Sequence, residues 1–223
     1  ADAGYYVDST AGTAQTAQTA CGAGTYNANT GSTTSSDCLD ASAGYYVDST
    51  GSDSQTECAA GTYQASTGQT SCDDAAAGYY VDSTGQSTQT ACAAGTYQSD
   101  TGRSYCDTAS AGYYVDSTAQ TAQTACLAGT YNSNTGSTTS SDCLDADPGY
   151  YVDSTAQTTQ TECAAGTYQA STGQSSCNVA DAGHYVDSTL GAAQTAQTAC
   201  LAGTYNADTG STTSSDCLDA DAG

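Results

Sequence analysis

Twelve cysteines are the residues of this 223-residue chain best suited to covalent chemistry, and their spacing decides which kind. Zinc sites usually combine close CxxC pairs with nearby histidine. Neighbouring cysteines here are never closer than fourteen positions and the chain has one histidine, so disulfides are the expected use. Each Cys-x-Ala-Gly-Thr-Tyr stretch runs on to a second cysteine, which predicts the local pairs Cys21 with Cys38, Cys58 with Cys72, Cys92 with Cys106, Cys126 with Cys143, Cys163 with Cys177 and Cys200 with Cys217. The alternative joins Cys38 to Cys58 and onward, and leaves Cys21 and Cys217 without partners inside the sequence. A local bridge closes a loop of about fifteen residues, worth roughly 3 kcal/mol in chain entropy. Six of them would stand in for a core and point to an oxidising compartment.

Hydroxyls come next. Ser and Thr crowd every unit, as in Thr33-Thr34-Ser35-Ser36, while none of the six asparagines heads an Asn-x-Ser/Thr acceptor. O-linked glycans are the natural modification, with Thr10, Thr13, Thr16, Thr33, Thr34, Thr67, Thr84, Thr118, Thr121, Thr155 and Thr158 as candidate positions. The aspartates Asp8, Asp48, Asp82, Asp116, Asp153 and Asp187 share one repeated position, and linkers such as Leu144-Asp-Ala-Asp147 add more carboxylates. The dense Asp-x-Asp-x-Asp-Gly loop of a dedicated calcium site is missing, so no cofactor is expected; structural calcium, if any, would sit in these linkers. His184 stands where other copies carry Tyr5, Tyr45, Tyr79, Tyr113 and Tyr150, and Arg103 replaces an ordinary polar residue. With no lysine, one histidine and its thiols oxidised, the chain offers no convincing nucleophile and base, and it is not expected to be an enzyme.

The elements that must position these residues are built with little oil. There is no Phe, Trp or Met, and 24 acidic residues face Arg103 alone, for a net charge of −23. Nucleic acid is excluded as a partner, since phosphate binding needs a basic footprint. No stretch reaches the length of an apolar membrane span, and no basic-plus-apolar leader opens the sequence. Secretion would require a leader removed or lying outside this stretch.

Gly4-Tyr-Tyr-Val-Asp-Ser-Thr10 recurs at Gly44, Gly78, Gly112 and Gly149, and as Gly183-His-Tyr-Val-Asp-Ser-Thr189, at steps of 40, 34, 34, 37 and 34 residues. The repeats are therefore 1–43, 44–77, 78–111, 112–148, 149–182 and 183–223, the last including the start of a further copy, as in a longer array. Each repeat is double. Cys58 through Cys72 lies over Ala75 through Gln89 without a gap, so the unit is about 17 residues and the cysteine positions alternate with Ala and Gln. One tyrosine column runs through all units: Tyr6, Tyr26, Tyr46, Tyr63, Tyr80, Tyr97, Tyr114, Tyr131, Tyr151, Tyr168, Tyr185 and Tyr205. Such a column suits a stacking spine, with rings half-covered and hydroxyls free to find partners. Frequent Gly, Thr, Ser and Asn argue against helix; Gly-Thr-Tyr and Gly-Tyr-Tyr-Val suit short strands, and the Thr-Gly that follows suits a turn with positive φ. The fold class expected is mostly β and irregular: a disulfide-stapled tandem-repeat rod of small hairpins with no helix. Some units gain three residues, and threonines such as Thr118, Thr121 and Thr124 recur at a spacing of three, which predicts a threefold, polyproline-like arm able to absorb a triplet.

Cys-x-Ala-Gly-Thr-Tyr with its later Thr-Gly and Cys resembles the ephrin-receptor-like and TNF-receptor-like cysteine-rich repeats of large extracellular proteins, over essentially the whole chain. The family's Pro is Ala, Leu or Gly here, as at Ala59, Leu127 and Gly22, and the cysteine expected three after Cys72 is Ala75, so half of the usual bridges are absent. The resemblance implies a rod-like ectodomain or surface fibre without catalytic activity. Taken together, the expectation is an acidic, O-glycosylated structural glycoprotein, secreted or at the cell surface: a segment of a fibril, surface appendage or flagellar-hair-like filament. Its partners would be further copies of itself or the rest of a longer array. The alternative is an adhesin stalk, or a glycan-binding or ice-binding repeat.

Overall fold

The computed structural model describes residues 1–8, 17–187 and 193–220. They divide into two compact bodies, 1–107 with 117–122 and 108–116 with 123–223. Both are built from one element, a corner followed by a two-residue strand. In Ala59-Ala60-Gly61-Thr62 the Thr62 amide donates to the Ala59 carbonyl at 3.0 Å and Gly61 has φ +90°, the signature of a type II turn. The Thr62 hydroxyl donates to the same carbonyl at 2.8 Å, which is why Thr follows Gly in these units.

Each corner delivers the chain into a strand that pairs antiparallel with a second one farther on, giving twelve two-stranded hairpins among the described residues. The odd-numbered hairpins pair Tyr5–Tyr6 with Thr19–Ala20, Tyr45–Tyr46 with Thr56–Glu57, Tyr79–Tyr80 with Thr90–Ala91, Tyr113–Tyr114 with Thr124–Ala125, Tyr150–Tyr151 with Thr161–Glu162, and His184–Tyr185 with Thr198–Ala199. The even-numbered ones pair Thr25–Tyr26 with Leu39–Asp40, Thr62–Tyr63 with Asp73–Asp74, Thr96–Tyr97 with Asp107–Thr108, Thr130–Tyr131 with Leu144–Asp145, Thr167–Tyr168 with Asn178–Val179, and Thr204–Tyr205 with Leu218–Asp219. The described residues form no α-helix.

An isolated two-stranded hairpin is marginal in water, so the joints between hairpins decide stability. In the first body, hairpins 2 and 3 share three backbone bonds: Gly24 donates to Val47 at 2.8 Å, Asn27 to Ser52 at 3.1 Å, and Gly51 back to Cys21 at 2.9 Å. The second body repeats the scheme between hairpins 9 and 10, with Gly149 donating to Gln169 at 2.7 Å, Val152 to Gln174 at 3.0 Å, and Gly173 to Ala146 at 2.8 Å. The reach extends one hairpin further. A Cβ placed on Gly24 would lie 2.3 Å from the Gly68 carbonyl oxygen, two hairpins on, and one on Gly166 would lie 2.1 Å from that of Gly210. The corner must therefore be glycine for two reasons, its backbone conformation and the carbonyl that occupies the place of a side chain.

What is buried is thin. The residue after each spine tyrosine points inward. It is valine in hairpins 3, 5, 7, 9 and 11 (Val47, Val81, Val115, Val152, Val186) and an amide in the even hairpins (Asn27, Gln64, Gln98, Asn132, Gln169, Asn206).

The threefold arm expected at the threonines is not what forms. In hairpin 7 the backbone after Thr118 turns through Ala119 at φ +59°, and in hairpin 9 through Ala156 at φ +62°, so the chain reverses rather than extends. The three extra residues of hairpins 2, 8 and 12 are taken up by single 3₁₀ turns, Ser35–Asp37, Ser140–Asp142 and Ser214–Asp216. Their capping boxes explain why: the Asp37 carboxylate accepts the amides of Thr33 and Thr34 at 3.0 and 3.1 Å. The arms containing Thr10, Thr13 and Thr16 lie outside the described residues.

Ala119 occupies a turn position that is Gly51, Gly68, Gly85 or Gly102 in other hairpins, at a φ that disfavours any side chain. Ala119→Gly is expected to stabilise the protein by about 1 kcal/mol, the reverse of the usual alanine-to-glycine effect. Gly61→Ala, which would put Cβ 2.3 Å from the Gly102 carbonyl oxygen, is expected to destabilise it by more. Urea midpoints of the two variants against the parent chain check both signs.

Candidate functional site

The groups with the most chemistry are the hairpin clamps. The structure joins Cys21 to Cys38, Cys58 to Cys72, Cys92 to Cys106, Cys126 to Cys143, Cys163 to Cys177 and Cys200 to Cys217, with Cα separations of 5.6 to 5.8 Å. All bridges lie in even hairpins. Odd hairpins carry Ala and Gln at the same two positions, and there a side-chain amide does the clamping. The Gln89 Oε1 accepts the Ala76 amide at 2.6 Å, Gln55 that of Ser42 at 2.7 Å, and Gln123 that of Ser110 at 2.7 Å. Where the corner offers an aspartate the clamp is reciprocal: Gln160 Nε2 donates to Asp147 Oδ2 at 2.8 Å while its Oε1 accepts the Asp147 amide at 2.7 Å. Ala75, the counterpart of Cys58, is fully buried. The signal was present in the sequence as Gln in every second cysteine position, but only the geometry gives it a role.

The buried amides form a second set. Asn27 Nδ2 donates to Ser32 Oγ at 2.7 Å and to the Tyr5 carbonyl of the preceding hairpin at 3.2 Å, and its Oδ1 accepts the Asn29 amide at 3.1 Å. Gln64 Nε2 donates to the Ser71 carbonyl at 3.0 Å and its Oε1 accepts the Ser66 amide at 3.0 Å. Asparagine occurs in the bridged hairpins with a cysteine separation of 17 and glutamine in those with 14, so the length of the amide tracks the loop it must hold. Among the described residues no buried side-chain polar atom lacks a partner.

The spine tyrosines sit on the second residue of each first strand and are half-buried, except Tyr205, 52% exposed in the last hairpin. A further tyrosine column, not singled out by spacing alone, reaches two hairpins along: the Tyr5 hydroxyl lies 2.9 Å from where a Cβ on Gly51 would stand. Tyr45 and Tyr150 donate to Glu57 and Glu162 at 3.2 Å, and these hydrogen bonds, with the carboxylate charge and partial burial, push their pKa values up. His184 is half-buried in its strand, its Nδ1 3.3 Å from the Ala182 carbonyl. Arg103 pairs with Asp100, which raises its pKa.

Of the candidate glycan acceptors, Thr33, Thr67, Thr84, Thr118, Thr121, Thr155 and Thr158 are exposed, while Thr34 is half-buried with its hydroxyl 2.7 Å from Ser36 Oγ. The Thr84 hydroxyl donates to Glu57 Oε2 at 2.7 Å. Among the described residues no three His, Cys, Asp or Glu side chains converge to hold a metal ion, and the linker carboxylate of Asp147 is engaged by Gln160. No described helix is long and apolar enough to cross a membrane. Shallow hollows of about 260 and 160 Å³ open beside Cys126–Cys143 and Cys200–Cys217, each flanked by an exposed leucine, Leu127 or Leu201. Another of about 500 Å³ lies along the last hairpin, between Tyr205, Asp208, Thr212 and Leu218. No family model matches the chain, and no curated protein does.

Two measurements test these clamps. Ala75→Cys with Gln89→Cys places cysteines at the counterparts of Cys58 and Cys72; a peptide map without reduction is expected to show a seventh local bridge, with a gain of about 3 kcal/mol. The second concerns Asp216, whose carboxylate accepts the amides of Thr212 and Thr213 at 2.9 and 3.0 Å, which lowers its pKa. Those bonds are lost on unfolding. The stability they contribute is present above the ordinary aspartate pKa and disappears as pH falls through the lowered folded value. An NMR titration is expected to give Asp216 a midpoint below that of an unstructured aspartyl peptide, with the Thr213 amide signal moving in step.

Proposed function

We propose that this chain is a structural segment of an extracellular fibril, surface appendage or flagellar-hair-like filament, that it bears O-linked glycans, and that it performs no catalysis. One observation carries the reading: in each body the same backbone joint links hairpin to hairpin, while the outward positions are filled with Ser, Thr and Asp rather than with a converging set of reactive groups. A joint made of backbone atoms is indifferent to which side chains face solvent, so units of this type add in series and leave their surface free for modification. Disulfides in every second hairpin favour an oxidising compartment, and the exposed hydroxyls of Thr67, Thr118 and Thr155 are sterically open to glycan transfer. The partners under this reading are further copies of the chain or the remainder of a longer array.

Immunogold electron microscopy of the source cells with an antibody raised against this chain is expected to place gold on filaments outside the plasma membrane. Label confined to the cell interior would overturn the proposal. In the same preparation, an intact mass equal to that of the bare, disulfide-closed chain would remove the glycan component.

A further inference from the structure

The two hollows beside bridges of the second body have the same lining. Tyr114, Leu127, Thr130, Ser140 and Cys143 bound the one at hairpin 8, and their counterparts Tyr185, Leu201, Thr204, Ser214 and Cys217 bound the one at hairpin 12. The first carries the argument. Hairpin 8 is joined onward to hairpin 9, where the Gly129 amide donates to the Val152 carbonyl at 2.8 Å, and the hollow stays open with that neighbour in place. Its rim is fixed by the corner: the Leu127 carbonyl accepts both the amide and the hydroxyl of Thr130, at 3.0 and 2.8 Å, and Leu201 holds Thr204 in the same way at 3.0 and 2.9 Å. The leucine side chain itself is not called for by the fold. Gly22, Ala59, Ala93 and Ala164 stand at that place in the other bridged hairpins, and Leu127 and Leu201 are 72% and 80% exposed, so neither contributes to an interior. Apolar groups left in solvent and gathered with an aromatic wall at a concave place mark a contact for something else.

We propose that each hollow binds one neutral hexopyranose ring of a glycan. Size, charge and chemistry select this occupant. At about 260 and 160 Å³ the hollows lie below the roughly 300 Å³ at which pockets for drug-sized ligands begin, so each admits a single ring. The lining residues that the two share carry no charge and the chain bears −23, so phosphate, sulfate and carboxylate groups are repelled. The Ser140 and Ser214 hydroxyls are exposed and form no hydrogen bond among the described residues, and the hydroxyl oxygen of Thr130 can still accept after donating to Leu127. An apolar side chain seated here would cover these hydroxyls without pairing them, which weakens its binding. A pyranose lays its C–H face against tyrosine and leucine and turns its hydroxyls to serine and threonine. At hairpin 8 the carboxylate of Asp145 also lines the hollow and adds an acceptor for a sugar hydroxyl, so that site is the tighter of the two. This binding goes beyond the filament reading and stands without it.

Methyl and aromatic NMR of the purified chain, titrated with the methyl glycosides of glucose, galactose, mannose and N-acetylglucosamine, tests this. With at least one glycoside the Leu127 and Leu201 methyl signals and the Tyr114 and Tyr185 ring signals are expected to shift along saturating curves, with a dissociation constant on the order of 1 mM for a site that covers one ring. Tyr46 and Tyr80, which precede bridged hairpins carrying Ala59 and Ala93 at the place of the leucine, are expected to stay still. Leu127→Ala is expected to weaken binding at Tyr114 by about tenfold and to leave Tyr185 unchanged, and Leu201→Ala to do the converse. Alanine already occupies this place in three hairpins of the parent chain, so both variants keep the fold, and the untouched hollow is the internal check in each. N-acetyl-leucinamide is the competing probe. If it shifts these signals and no glycoside does, the hollows are seats for an apolar side chain of a protein partner and the proposal fails. It fails equally if no glycoside gives a saturable shift at about 100 mM, on the order of a hundred expected dissociation constants, or if Tyr46 and Tyr80 shift as far as Tyr114.

Discussion

The corner glycine is the constraint on which the structure depends. It is held at positive φ by the type II turn, its amide is spent on the next hairpin, and the missing side chain leaves room for a carbonyl from the hairpin after that. Turn, neighbour and next-neighbour contacts thus meet at one atom-poor position. A protein with no Phe, Trp or Met gains little from burial, and here the backbone bonds of each joint take the place of a core, at about 1 kcal/mol net for each bond. The disulfides act on something else: they limit the unfolded chain within single hairpins and leave the joints between hairpins untouched.

The alternation of units follows from this division. Even hairpins have a covalent clamp at the base and a buried amide inside; odd hairpins have an amide clamp at the base and, from hairpin 3 onward, a fully buried valine inside. Each kind therefore combines one strong element with one adaptable element. The buried Asn or Gln is tolerable because the loop it organises satisfies it completely, which is the condition under which interior polar groups do not cost stability. Loop length then selects the amide. The short side chain of Asn27 reaches Ser32, five residues on, whereas Gln64 reaches the carbonyl of Ser71, seven residues on, just before the bridge.

Much of the fold was legible in the sequence because Gly and Cys leave few options. The hairpins, the short strands at Gly-Thr-Tyr and the positive-φ turns at Thr-Gly follow from residue type and period alone. The triplet insertions were not legible. Threonines spaced by three fit a polyproline-like arm as pattern, but in Thr34-Ser-Ser-Asp37 the deciding feature is the carboxylate that caps a 3₁₀ turn, a local bond that outweighs periodicity. Ala119 was illegible for a different reason: alanine carries no preference for positive φ, and only its place beneath the Gly78 corner forces it there. Of the candidate site, the spacing of the cysteines was informative. The glutamine clamps were visible as a substitution pattern, but a Gln in place of a Cys says nothing of a bond to a backbone amide until the corner is built.

The charge distribution of the chain bears on what can join one hairpin to the next. Its charged side chains lie outside the hairpin interiors, and the pair of Arg103 with Asp100 is exposed, so folding does not draw on ion pairing. Repulsion among the negative surfaces of neighbouring hairpins then acts against the joints of each body. It is offset where the joint supplies several aligned backbone donors and acceptors together with a seat for a carbonyl, and the corner offers all of these. A joint made of backbone donors and acceptors is what a chain of nearly uniform charge can use, because it joins neighbouring hairpins without ion pairs between their side chains.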